Sequence, residues 1–108
     1  MKETILCAAI WYKDLKLAKV FDSNVLPINC DKGLVFCGHR HPQCMYTMCS
    51  ITGLRSVESE CGEYIQGFLT NLNRFVDREE ALIIALKNNQ VLDVSDVSGN
   101  RLHSEDLY

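Results

Sequence analysis

The chain has 108 residues, 11 Lys and Arg against 14 Asp and Glu, a formal net charge of −3 and 47% hydrophobic residues. Its length suits one domain, 1–108, with a core of its own, and no apolar run reaches the roughly 18 residues that a membrane span needs. The acidic balance argues against a general binder of DNA or RNA, whose affinity comes from many Lys and Arg contacts to phosphate. It leaves room for a small anion held by a few well-placed cations.

In chain order, "ETILCAAIWY" reads as a first strand rather than a leader, because a glutamate interrupts its apolar run and no cleavage pattern follows. "LKLAKVF" alternates, so the two are expected to form a hairpin across Lys13 and Asp14. "SNVLPINCDKG" is a loop and "LVFCG" a short strand. A helix is predicted from Pro42 to about Thr52, with proline in its first turn and Gly53 where a left-handed residue is wanted. Cys44, Met45, Met48, Cys49 and Thr52 form its core stripe. "YIQGFLTNLNRFVD" reads as a second hairpin.

Asp77 then caps a helix from Arg78 to about Asn88, and Glu80 completes a capping box. Its "ALIIAL" segment is apolar nearly all round, which predicts burial on two sides and a homo-oligomer, the alternative being cover by the monomer's own sheet. "VLDVSDVSGN" is a polar loop, and "RLHSEDLY" closes the chain. The expected fold class is α+β: a small antiparallel sheet from N-terminal and central hairpins, packed on two main helices.

Cysteines stand at 7, 30, 37, 44, 49 and 61 without a CxxC, and are read as free thiols in a reducing cytoplasm. Residues 33–44, "GLVFCGHRHPQC", admit three chemistries. Cys37, His39, His41 and Cys44 could ligate zinc, although their spacing is not that of the usual ligand pairs. A thiol nucleophile would need an adjacent His base, and no signature marks one. The strand-to-helix junction could cradle a phosphate, with Gly38 allowing a tight backbone, Arg40 offering a planar fork and the first helical amides adding positive character. A surface loop is the bland alternative. Phe68 and Phe75 are core residues or a stacking surface for a base. In the tail, His103 could stack on a base while Glu105 and Asp106 bond ribose hydroxyls or base amines.

"GHRH" before a helix, "QGFLTNLNRFVDREEALIIALKNNQ" and the terminal "LHSEDLY" resemble the first family of Thoeris anti-defence proteins of phages, over roughly residues 34–108. That resemblance implies a sponge in the host bacterial cytoplasm, which binds cyclic ADP-ribose isomers made by TIR-domain enzymes and holds them without cleavage. Cyclic di- or trinucleotides of the CBASS pathway are a further ligand class at a separate site. By the same resemblance Arg40 and the amides after it contact phosphate, and His41 is a further ligand-binding residue. Phe75 and His103 sandwich the adenine, and Asp106 bonds the base edge or ribose. Phe68, Asn89 and Arg101 are secondary contacts. His103 stands where arginine is expected in relatives, which would weaken cation–π stacking. The expected partner is thus a small cyclic nucleotide, with no cofactor, no metal, no nucleic acid and no membrane. Glu105 and Asp106 are adjacent and so not aimed at one centre, which favours a binder over a hydrolase of the same signals; a zinc-binding interaction module is the third class. Removal of "RLHSEDLY" is expected to abolish binding and spare the fold.

Overall fold

The computed structural model describes residues 2–16 and 25–108. Strands β1 (Ile5–Tyr12), β2 (Leu34–Gly38), β3 (Tyr64–Thr70) and β4 (Phe75–Asp77) form one antiparallel sheet in the order β2-β1-β3-β4. Helices α1 (His41–Thr52), α2 (Glu58–Cys61) and α3 (Arg78–Lys87) accompany it. This is the expected α+β class, with the central hairpin formed by β3 and β4 around Asn71–Asn73.

The first strand's partner is different from the one expected. The alternating segment 15–21 lies largely outside the described residues. Ala8–Tyr12 pair with β2 on one side and with β3 on the other. β1 is therefore the central strand, consistent with its nearly continuous apolar character.

Alternation along the strands divides the core in two. Ala8, Ile10, Tyr12, Phe68 and Val76 face α1, α2 and α3, meeting Cys44, Met48, Cys61, Ala81, Leu82, Ile84 and Ala85. On the opposite face Ala9, Cys30 and Phe75 are buried, with Trp11, Leu26, Val35, Ile65 and Leu69 against them. Amide side chains finish two strand edges. Asn29 donates to Phe75 O and accepts from Phe75 N (2.7 and 2.8 Å), and Gln90 does the same for Ile5 (2.8 and 2.8 Å). These bonds satisfy backbone groups that a bare edge would leave open.

Local signals account for both long helices. Gln43 Oε1 accepts from Arg40 N at the start of α1 (2.8 Å), and Gly53 ends the helix with φ of 75°. Asp77 accepts from Glu80 N at 2.8 Å, but the reciprocal arm of the capping box is absent because the Glu80 carboxylate takes Arg74 instead, at 2.7 Å. Arg74 also holds Glu3 through two 2.9 Å bonds, which keeps the Glu3 carboxyl below its usual range and ties the N-terminal segment to the hairpin turn. Short α2 was not visible as an apolar period because four residues are too few to show one.

One further expectation is corrected. The terminal segment is no appendage: Leu102 and Leu107 belong to the main core, so its removal would open that core rather than spare the fold. α3 buries Ala81, Leu82, Ile84 and Ala85 under the monomer's own sheet and leaves Ile83 and Leu86 62% and 43% exposed.

Gly67 is the tightest point of the sheet. A Cβ there would stand 2.1 Å from Val76 O and 2.8 Å from Phe75 Cζ. Backbone at that distance cannot give way, so Gly67→Ala is expected to destabilise by at least about 2 kcal/mol in urea unfolding.

Candidate functional site

The strand-to-helix junction and the C-terminal segment, about sixty residues apart in sequence, meet on one side of the sheet. Tyr108 stacks on His39 with ring centroids 4.5 Å apart, and its hydroxyl donates to His39 O at 2.9 Å. The Arg40 guanidinium lies 5.1 Å from the centre of the Tyr108 ring, donates to Tyr108 O and stands 3.8 Å from Glu105. The junction that the sequence offers to a phosphate is thus covered by the tail, with Arg40 as its anchor.

Within the tail, Asp106 is buried and its carboxylate accepts from His103 N at 2.8 Å, closing a 3₁₀ turn over Ser104–Asp106. His103 Nδ1 is 3.8 Å from the same carboxylate. Leu92 N donates to Asp106 O at 2.8 Å, and Leu102 N to Arg78 O at 2.9 Å, which joins the tail to both ends of α3. Asp106 therefore has a structural task whatever else it does.

Arg78 is the residue that sequence reasoning passed over. It stands at the first position of α3, where it reads as an ordinary surface cation. In the fold its half-buried guanidinium donates to Leu102 O at 2.8 Å and to Gln66 Oε1 at 2.6 Å. Burial lowers its pKa, Glu105 opposes that shift and the neighbouring Arg101 adds to it. The Glu105 carboxyl is held below its usual range first by its bond from Ser104 and then by the neighbouring Arg40 and His103 side chains. Arg40, Arg78 and His103 thus act on one glutamate, with Arg101 beside Arg78, in a protein of net charge −3.

A cavity of about 370 Å³ opens at this cluster, lined by Ile65, Gln66, Asp77, Arg78, Glu79 and Arg101. It exists because β4 stops early. Gly67 pairs with Asp77, the chain then turns into α3, and Tyr64–Gln66 of β3 run on without a β4 partner.

Of the expected contact residues, Arg40, His41, Arg101, His103 and Asp106 gather on this side. His41 is buried, its Nε2 lies 2.7 Å from Gly67 O, and its ring meets Phe68 edge to face at 5.1 Å. Phe68 is fully buried and offers no free face. Phe75 lies on the other face of the sheet, buried edge-on against Trp11 at 5.9 Å, so no sandwich with His103 is formed. Asn89 follows α3 at its far end, on the order of 15 Å along the helix from Arg78, and its φ of 54° explains an asparagine there.

The zinc alternative is not supported, since among the described residues no group of three His, Cys, Asp or Glu could hold a metal ion. Cys37 is exposed while His41 points inward to Gly67. All six cysteines are free. Cys7 has its pKa lowered to about 7, because the Cys37 thiol and Gly38 N–H bond its thiolate, whereas burial pushes Cys44 up to about 11.

Burial lowers the pKa of His41. As pH falls through about 6.5 the unfolded chain takes up this proton first, so stability is lost with acidification. Melting temperature should fall between pH 6.5 and 5, and His41→Gln should flatten that slope; the lowered carboxylates Glu3 and Glu105 act only below it. Arg40→Ala should cost less than about 1 kcal/mol of global stability, while raising amide hydrogen exchange at Asp106 and Leu107 several-fold by loosening the tail.

No helix among the described residues is long and apolar enough to cross a membrane. No curated protein and no solved structure matches the chain. The sequence model of one phage family, described as Phage T4 y16D protein, matches residues 4–108. With nearly its whole length matched, the chain belongs to the phage T4 y16D protein family.

Proposed function

We propose that this phage-family protein is an anti-defence sponge, which binds a cyclic ADP-ribose isomer and withholds it from a host effector without cleaving it. The observation that carries the reading is the convergence of Arg40, Arg78, Arg101 and His103 on one side of an acidic protein. Like charges drawn together and partly out of water repel one another, and a bound anion relieves that repulsion. A pyrophosphate with two riboses and an adenine supplies the anion. The carboxylates of Asp77 and Glu79 stand at the same cavity for hydroxyls or amines.

A sponge has to outcompete an effector, which asks for a Kd on the order of nanomolar, about −12 kcal/mol. Such affinity comes from enclosing a preformed ligand rather than from one contact. The cavity volume of about 370 Å³ falls at the lower end of ordinary small-molecule sites, roughly 300–1,000 Å³. A second copy placed on Ile83 and Leu86 would add cover, and homo-oligomerisation is part of the proposal. Capture of cyclic di- or trinucleotides belongs to it as a separate site.

Incubation of the purified protein with a ribose-linked cyclic ADP-ribose isomer should deplete free ligand, and heat denaturation should return it unchanged on chromatography. A new product would make the protein a hydrolase of these signals. Absence of depletion at micromolar protein would end the sponge reading.

A further inference from the structure

We infer that the cavity between Arg78 and Arg101 is a diphosphate-binding site, with Gln66 as the residue that positions the Arg78 fork. The chain has five arginines. Three are neutralised by carboxylates: Arg40 by Glu105, Arg55 by Glu60, and Arg74 by Glu3 and Glu80. Among the described residues the remaining two, Arg78 and Arg101, have no carboxylate within the 4.0 Å of an ion pair. They are also the two that line this cavity and sense each other's charge. The two guanidiniums without an ion pair among the described residues thus stand on the wall of one cavity.

Arg78 is held for such a task. Leu102 O takes its Nη1 and Gln66 Oε1 its Nη2, at 2.8 and 2.6 Å, and both acceptors are neutral. The side chain is thereby fixed in place by neutral acceptors, with Glu105 acting on it only from beyond ion-pair distance, and its remaining N–H groups are available to an oxyanion. Preorganised forks of this kind recognise phosphate oxygens in a bidentate manner. Two of them, one half-buried and one exposed, match two linked phosphates better than one.

The other walls limit what can be attached. Ile65 gives an apolar surface, while Asp77 and Glu79 can accept bonds from hydroxyl or amine groups. The ligand class is a diphosphate flanked by uncharged, hydroxyl-bearing groups, as in a nucleoside diphosphate or a dinucleotide. Only the identity of those flanking groups rests on the sponge reading.

Calorimetric titration of the full chain with inorganic pyrophosphate, ADP and AMP tests the assignment. Pyrophosphate and ADP should bind, with AMP weaker than ADP by about tenfold or more, and Arg101→Gln should weaken ADP binding by about tenfold or more. Arg55→Gln should bind as the unmodified protein does. Gln66→Glu supplies Arg78 with the carboxylate it lacks, so it should abolish ADP binding while leaving the melting temperature unchanged or raised. A merely structural role for Gln66 predicts loss of stability instead.

Equal binding by Arg101→Gln and the unmodified protein would overturn the site, as would failure of pyrophosphate and ADP to bind at millimolar concentration. Pyrophosphate binding that is lost in Arg101→Gln, without capture of any cyclic ADP-ribose isomer, keeps this site and removes the sponge. Capture of an isomer that is indifferent to Arg101→Gln does the reverse.

Discussion

Gly67 is where three parts of the fold are brought within contact of one another. Its missing side chain lets the β4 backbone and the Phe75 ring close on β3 from one side. Its carbonyl lies 2.7 Å from His41 Nε2 at the first turn of α1. That bond sets the position of α1 over the sheet, and with it Arg40, one residue upstream. Burial lowers the pKa of His41, and the Gly67 carbonyl opposes that shift. A single backbone position thus connects the second layer around Phe75, the main core around Phe68 and the junction that meets the tail.

The tail shows how a polar-looking segment becomes structural. Its leucines enter the core, its aspartate closes a turn on His103, and its last residue covers Arg40. Because the tail also takes a bond from Arg78 through Leu102 O, cavity and core share one element. Loss of the tail would remove apolar cover and a guanidinium anchor together. In the folded chain Arg40 latches the tail, and the two arginines without an ion pair among the described residues, Arg78 and Arg101, lie beside it.

Six thiols in so short a chain have a mostly apolar explanation. Cys30, Cys44 and Cys61 are buried and behave as small hydrophobes. Cys7 and Cys37 belong to neighbouring strands on the same side of the sheet, which accounts for their mutual hydrogen bond and the low pKa of Cys7. Cys49 is half-buried against the main core.

Most structure that depends on residues close in sequence was legible there, the reciprocal arm of the capping box and short α2 excepted. Proline in the first turn and Gly53 bounded α1, Asp77 began α3, and the Asn71–Asn73 turn made the central hairpin, because caps, turns and helical period act over a few residues. Tertiary structure alone decided what β1 would pair with, since a strand's edges carry no label of their partner. It put Phe68 and Phe75 on opposite faces, a consequence of register that separates two aromatics which look equivalent along the chain. It also turned Arg78 from a surface cation into a half-buried one, because only the early end of β4 and the return of the tail brought Gln66, Leu102 and Arg101 to it. Periodicity records which face of an element is apolar; the neighbours of a charge are set by contacts between residues far apart in sequence, which no local pattern encodes.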